Sequence, residues 1–173
     1  MKFTAKKFVL FLIFGFSFLN AQTKITDPEI YLKPTYQLTS EAALSLMKKA
    51  SEKARSLNVT ITIAIVDASG NTVSILRGNN VGPHNTEAAR RKAYTSLSTK
   101  TPTLQLMRTA EKSADAKNLN TLPELLLLSG GSPLYFKGEI IGAIGVAGGG
   151  SAENDDIIAK STSIPEAGIS TIK

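Results

Sequence analysis

The sequence contains no cysteine, no tryptophan and a single histidine, His84. Without cysteine the chain has no disulfide, no thiolate nucleophile and no sulfur ligand for a metal. One histidine also excludes a structural zinc site, which takes four ligands from Cys and His. A catalytic triad would need His84 as its base, and Ser132 in "GGSPL", the best-placed serine, lacks the G-x-S-x-G elbow. These absences leave few routes to metal or nucleophilic chemistry.

The chain also lacks an apolar run long enough to cross a bilayer. The longest, residues 8–19, has 12 residues, against the roughly 20 that a membrane helix needs. It follows three lysines and ends before Ala21, which is the three-part pattern of a secretory signal peptide. We therefore expect residues 1–21 to be a signal peptide, and the protein to be periplasmic or secreted with no stable membrane insertion.

A strong charge of one sign is missing as well. Removal of residues 1–21 takes away three lysines, which leaves 17 basic and 14 acidic residues and a net charge of +3 instead of +6. This balance gives no electrostatic argument for nucleic-acid binding. The remaining 152 residues suit one domain with its own core. In the absence of disulfides, association of identical subunits is the natural source of extra stability.

Periodicity predicts an α+β domain. Residues 22–37 have no period and indicate a linker, and the domain is expected over residues 38–173. The patterns then predict a helix at 40–57, strands at 59–67 and 72–77, helices at 86–98 and 103–114, two or three strands between 124 and 150, a helix at 153–163 and a tail. Because hairpins dominate this order, we expect a single domain with an antiparallel sheet flanked by helices.

The glycine-rich stretch "GAIGVAGGGSAEN" does not fit a nucleotide site. Its glycines fall at 142, 145 and 148, whereas a dinucleotide loop needs G-x-G-x-x-G. No lysine follows Gly150, as a phosphate loop requires. We interpret the glycines as places where backbones approach closely, and "ENDD" as the acidic start of the last helix.

The stretch "GPHNTEAARRKAYT" (82–95) is the strongest candidate for a binding site. Helical spacing places Lys92 at the border of the buried face, where its ammonium would reach outward, and points Arg91 to solvent. Arg77, His84, Lys92 and the free N–H groups of the helix start would then converge on a carboxylate-bearing ligand. A neutral imidazole in this position also suits an axial ligand of haem iron. The alternative is an exposed histidine on a basic, solubilising helix, and spacing alone leaves both interpretations open.

Several motifs resemble those of the GlcG/HbpS family, which includes the C-terminal domain of PduO-type proteins. The resemblance runs from about residue 38 to residue 159 and is carried by "LTSEAAL", "TIAIVDASGNTVSILR", "AARRKAYT", "TPT", "LSGGSPL", "GEIIGAIGVAGGG" and "END". It implies a profilin-like domain that forms homo-oligomers. It also implies binding of haem or another tetrapyrrole in some members, with links to haem sensing or degradation.

The family pattern supplies candidate residues by position. Arg77, Lys92 and Thr95 fall on it, and so do Gly130, Gly131, Pro133, Gly142, Gly145 and Asp155. The chain departs from the pattern at Asn79, where the family has aspartate, and at Asn85, where it often has serine. The predicted cofactor-binding set is therefore Arg77, Asn79, His84, Lys92 and Thr95, with His84 as the metal ligand and no catalytic residue.

The sequence leaves three functions open. The leading one is an exported, non-enzymatic carrier or sensor partner that binds haem or a small anionic ligand. The second is an enzyme that degrades haem or acts on a small hydroxy acid such as glycolate, which has little support because no general base besides His84 stands out. The third is an oligomeric structural module without a ligand.

Overall fold

The computed structural model describes residues 31–173, which contain the compact unit Pro34–Lys173. Residues 1–21 and most of the predicted linker lie outside the described residues. The elements are α1 (Ser40–Ser56), β1 (Thr62–Asp67), β2 (Thr72–Arg77), α2 (His84–Thr99), α3 (Thr103–Lys112), α4 (Ala114–Lys117), β3 (Gly131–Phe136), β4 (Glu139–Ala147), α5 (Ala152–Lys160) and β5 (Ile169–Ser170). Short 3-10 turns cover Asn118–Thr121 and Pro165–Ala167. No helix in the described part is long and apolar enough to cross a membrane.

The five strands form one sheet in the order β2-β1-β4-β3-β5, and every neighbouring pair is antiparallel. The predicted α+β class and antiparallel sheet are confirmed. The residues expected to form a tail are instead part of the domain, because β5 pairs with β3 and Ile164 bridges to Ile169.

Helix α1 covers one face of the sheet. Thr39 caps it by accepting the N–H of Ala42 at 3.2 Å, and it ends before Asn58, which has φ 56°. Its buried side chains recur at steps of three and four, which places one apolar stripe on the sheet. That stripe and α5 pack on the main core, which contains Ile63, Ile65 and Ile144.

Helix α2 covers the opposite face of the sheet and lies very close to it. Ala89 packs on Ala64 and Ala147, and Ala93 packs on Val66 and Ala143. Small residues on both sides let the helix backbone approach the strands closely. Since both faces of the sheet are covered, five of the six β1 residues are buried.

One further boundary differs from the predictions. The strand expected at 59–67 begins at Thr62. Of the two or three strands expected between 124 and 150, two form, β3 and β4. Residues 124–128, which we call the strap, are not a strand, and their backbone is hydrogen-bonded to the Arg91 and Thr95 side chains of α2.

Candidate functional site

The sheet topology brings the start of α2 and the end of β2 to one end of the domain. Thr62 pairs with Arg77 on one side and with Ala147 on the other. A Cβ added at Gly148 would lie 2.9 Å from Val81 and 3.5 Å from Asn85, so the loop after β4 contacts the start of α2. The end of β2, the loop after β4 and the start of α2 therefore lie at the same end of the sheet.

His84 is the first residue of α2 rather than a residue before it. Its side chain is exposed, and its ring lies beside Gly82, where an added Cβ would be 2.9 Å from Cε1. Pro83 occupies the N-cap position and provides no side-chain hydrogen bond, while the Asn85 side-chain amide donates to the Gly82 carbonyl at 3.2 Å. The imidazole therefore stands at an exposed helix start that no side chain caps.

Lys92 does not reach outward as expected, because its side chain is buried. The ammonium donates to the Val146 carbonyl at 2.9 Å and to Asp155 Oδ2 at 2.8 Å. Both partners of this ion pair are almost fully buried, with Lys92 5% exposed and Asp155 6% exposed. The pair joins α2 to the end of β4 and to α5.

Asp155 also fixes the loop between β4 and α5. Its Oδ1 accepts the N–H of Gly149 at 2.8 Å, and the Asn154 side-chain amide donates to the Gly149 carbonyl at 2.7 Å. Ser151 caps α5 by accepting the N–H of Asn154. The N–H and the carbonyl of Gly149 are thus both hydrogen-bonded. The same loop contacts Val81 and Asn85.

Thr95 is fully buried and holds the strap. Its Oγ1 accepts the N–H of Leu126 at 2.8 Å, and one turn earlier Arg91 donates to the Leu125 carbonyl at 2.5 Å. Arg91 does not point freely into solvent, because the strap lies over it. The sequence signal for the strap was ambiguous, since "PELLLL" has neither a helical nor a strand period.

Arg90 ties the strap to α2 through Glu124, with which it pairs at 2.8 Å. It also pairs with Glu87 of its own helix at 2.6 Å. The hydrogen bond from Arg90 lowers the pKa of Glu87, and the two carboxylates raise the pKa of Arg90. Arg90 therefore helps to hold the strap against α2.

The five predicted binding residues thus fall into two groups. Arg77, Asn79 and His84 are exposed at one end of the sheet, which we call the His84 end. Lys92 and Thr95 are instead buried and hydrogen-bonded within the domain. Four cavities of 250 to 380 Å³ in residues 34–173 are lined by side chains other than these five. No group of three or more His, Asp or Glu side chains able to hold a metal ion occurs in residues 31–173.

Comparison with known proteins gives matches over most of the chain. The model of a family described as "Haem degrading protein HbpS-like" matches residues 38–163. A 15.0 kDa protein from the dhaT–dhaS intergenic region of Citrobacter freundii is 27% identical over 71% of this chain and 87% of its own length. The corrinoid adenosyltransferase PduO of Salmonella typhimurium is 31% identical over 72% of this chain, which spans 39% of that protein.

Solved structures share the fold. A double mutant of HbpS from Streptomyces reticuli has 38% identity and a TM-score of 0.69, over 75% of this chain and 87% of that one. A structure described as a PduOC:heme complex has 28% identity and a TM-score of 0.69, over 79% of this chain and 99% of that one.

Proposed function

The chain belongs to the HbpS-like family, and on that premise we propose that it binds haem or a related tetrapyrrole. The observation that carries the proposal is the similarity of nearly the whole domain to a structure whose description names a complex with haem. In this proposal the protein is a non-enzymatic carrier or sensor partner that acts outside the cytoplasm as a homo-oligomer.

The exposed side chains at the His84 end provide some of the contacts that a tetrapyrrole needs. The exposed imidazole of His84 has the chemistry of an axial ligand, and the Arg77 guanidinium at the same end of the sheet suits a propionate. When bound, haem supplies an iron centre that the side chains of this chain do not form on their own. The contacts of Lys92 and Thr95 give these residues a structural role, and their contribution to binding stays a prediction.

Titration of the purified protein with hemin tests the function. We expect a saturable shift of the Soret band, and His84→Ala should weaken hemin binding by roughly tenfold or more because an axial bond is lost. His84 is exposed, so the variant should fold normally. Gln105→Ala, at an exposed position of α3 outside the predicted binding set, is the control and should bind hemin as the wild type does. An unchanged spectrum on adding hemin to the wild type would refute the function, whereas a shift that survives His84→Ala would refute only the axial assignment.

Haem degradation is the second candidate, because the family description itself names it. A carrier should protect bound haem, whereas a degrading enzyme should consume it. We expect the Soret absorbance of the loaded protein to decay under peroxide no faster than that of free hemin. A protein-dependent acceleration would favour the enzyme.

Export is tested by the mass of the protein recovered from the periplasm or culture medium. Cleavage after Ala21 leaves a chain that starts at Gln22, and a recovered protein that retains residues 1–21 would contradict it.

A further inference from the structure

A second surface with tetrapyrrole-binding chemistry lies at the other end of the sheet. We call it the Tyr36 groove, and it is formed by residues 36–42, the end of β3, the start of β4 and residues 167–169. Its volume is about 250 Å³ and no charged side chain lines it. Its lining is mostly apolar, with Leu38, Phe136 and Ile141 among its walls.

Aromatic rings and one cation stand at its edge. The rings of Tyr36 and Phe136 meet edge to face with centroids 4.8 Å apart. The Lys137 ammonium lies 5.7 Å from the Tyr36 ring centre and 5.2 Å from that of Phe136. Glu166, which precedes the lining residue Ala167, forms an ion pair with the Lys49 ammonium at 4.0 Å. The groove therefore combines apolar walls, two π faces and a cation on the rim.

These features match the chemistry of a porphyrin, which has a flat apolar ring and carboxylates on one edge. We propose that the Tyr36 groove holds one edge of a tetrapyrrole other than the one that His84 contacts in the same protomer, with the rings of Tyr36 and Phe136 against the macrocycle and Lys137 paired with a propionate. This rests on the proposed function, since the ligand class is the same, and adds a second contact surface for it. The groove is smaller than the roughly 300–1,000 Å³ typical of sites that enclose a ligand, so it takes part of the ring and leaves the rest open.

The groove and the His84 end are too far apart for one tetrapyrrole to be bound by its iron at His84 and by its edge in the groove within one protomer. Ile141 lines the groove, and six residues further along β4 Ala147 lies at the His84 end. At about 3.3 Å per residue this separation is about 20 Å. Substitutions at the two ends should therefore act on different contacts, which allows them to be separated.

Metal-free protoporphyrin IX is the probe that isolates ring contacts from the iron bond. We expect it to bind the wild type, and Tyr36→Ala, Phe136→Ala and Lys137→Glu each to weaken that binding by roughly five- to tenfold, as loss of an aromatic or ionic contact implies. Leu128→Ala is the matched control, because Leu128 is 51% exposed and Tyr36 48% exposed.

The results separate the two proposals. If wild-type protein binds neither hemin nor protoporphyrin, the proposed function and this site both fail. If hemin binds but protoporphyrin does not, or if the three groove variants bind protoporphyrin as the wild type does, only the groove assignment fails. Far-UV circular dichroism checks folding, and should Phe136→Ala unfold, the exposed positions Tyr36 and Lys137 decide the outcome.

Discussion

Asp155→Ala is expected to lower the free energy of unfolding by about 3–5 kcal/mol, the cost of leaving a buried charge without its partner. Lys92 is 5% exposed and would lose its carboxylate, while the N–H of Gly149 would lose its acceptor. Denaturation in urea, followed by circular dichroism, measures the change.

The neighbouring residue provides a matched control. Asp156 is also 6% exposed on α5 and also pairs with a lysine at 2.8 Å, but the side chain of that partner, Lys160, is 46% exposed and keeps its hydration when the pair is broken. One Asp156 oxygen, Oδ1, is already buried without a hydrogen bond in the structure. We therefore expect Asp156→Ala to cost about 1 kcal/mol or less. Equal losses for the two variants would contradict the role given to the Lys92–Asp155 pair.

A double variant separates the effect of the ion pair from the effect of packing at the two positions. Lys92→Met with Asp155→Leu removes both charges, so no buried charge is left without a partner, although the Gly149 N–H still loses its acceptor. The double variant should therefore be more stable than Asp155→Ala alone. If the double variant loses at least as much as the single one, packing rather than charge pairing explains the effect.

Gly145→Ala should be destabilising by about 3 kcal/mol, the upper part of the range for overpacked cores. A Cβ at this position would lie 2.0 Å from the Ala89 carbonyl oxygen and 2.6 Å from the Ala93 nitrogen. Both are backbone atoms of α2, so no side-chain rotation relieves the clash and the helix has to move off the sheet. In a thermal melt this corresponds to a fall in Tm of about 6–12 °C.

Gly138→Ala is the comparison for this substitution. Gly138 has φ 78° in the β3–β4 turn, and an added Cβ would have no heavy atom within 4 Å. Its cost should be the backbone strain alone, about 1 kcal/mol. Should Gly138→Ala prove as damaging as Gly145→Ala, the close approach of α2 is not what requires glycine at position 145. Because α2 carries His84, Gly145→Ala is also expected to disturb the His84 end, and Gly138→Ala to leave it intact.

Local patterns were enough for the elements whose stability is local. The spacing of Leu46, Met47 and Ala50 predicted α1 and its buried face, and the turn after Asp67 predicted the β1–β2 hairpin. Family motifs added the class of fold. The same reasoning left residues 124–128 undecided, because a run of leucines has no period that distinguishes a strand from an irregular segment.

For the candidate site, the sequence determined which residue types are available: one imidazole, no thiol, and cations spaced along α2. Only the tertiary structure decided which of them face solvent. Helical spacing places Lys92 at the border of the buried face of α2, which does not fix whether its ammonium points outward or inward. It points inward because Asp155, 63 residues later in the chain, lies there to pair with it. Likewise, Tyr36 and Phe136 are 100 positions apart and meet only because β5 and the start of α1 close against the end of β3. Periodicity reports the faces of single elements, whereas a buried ion pair or an aromatic groove is a property of elements that the sheet brings together.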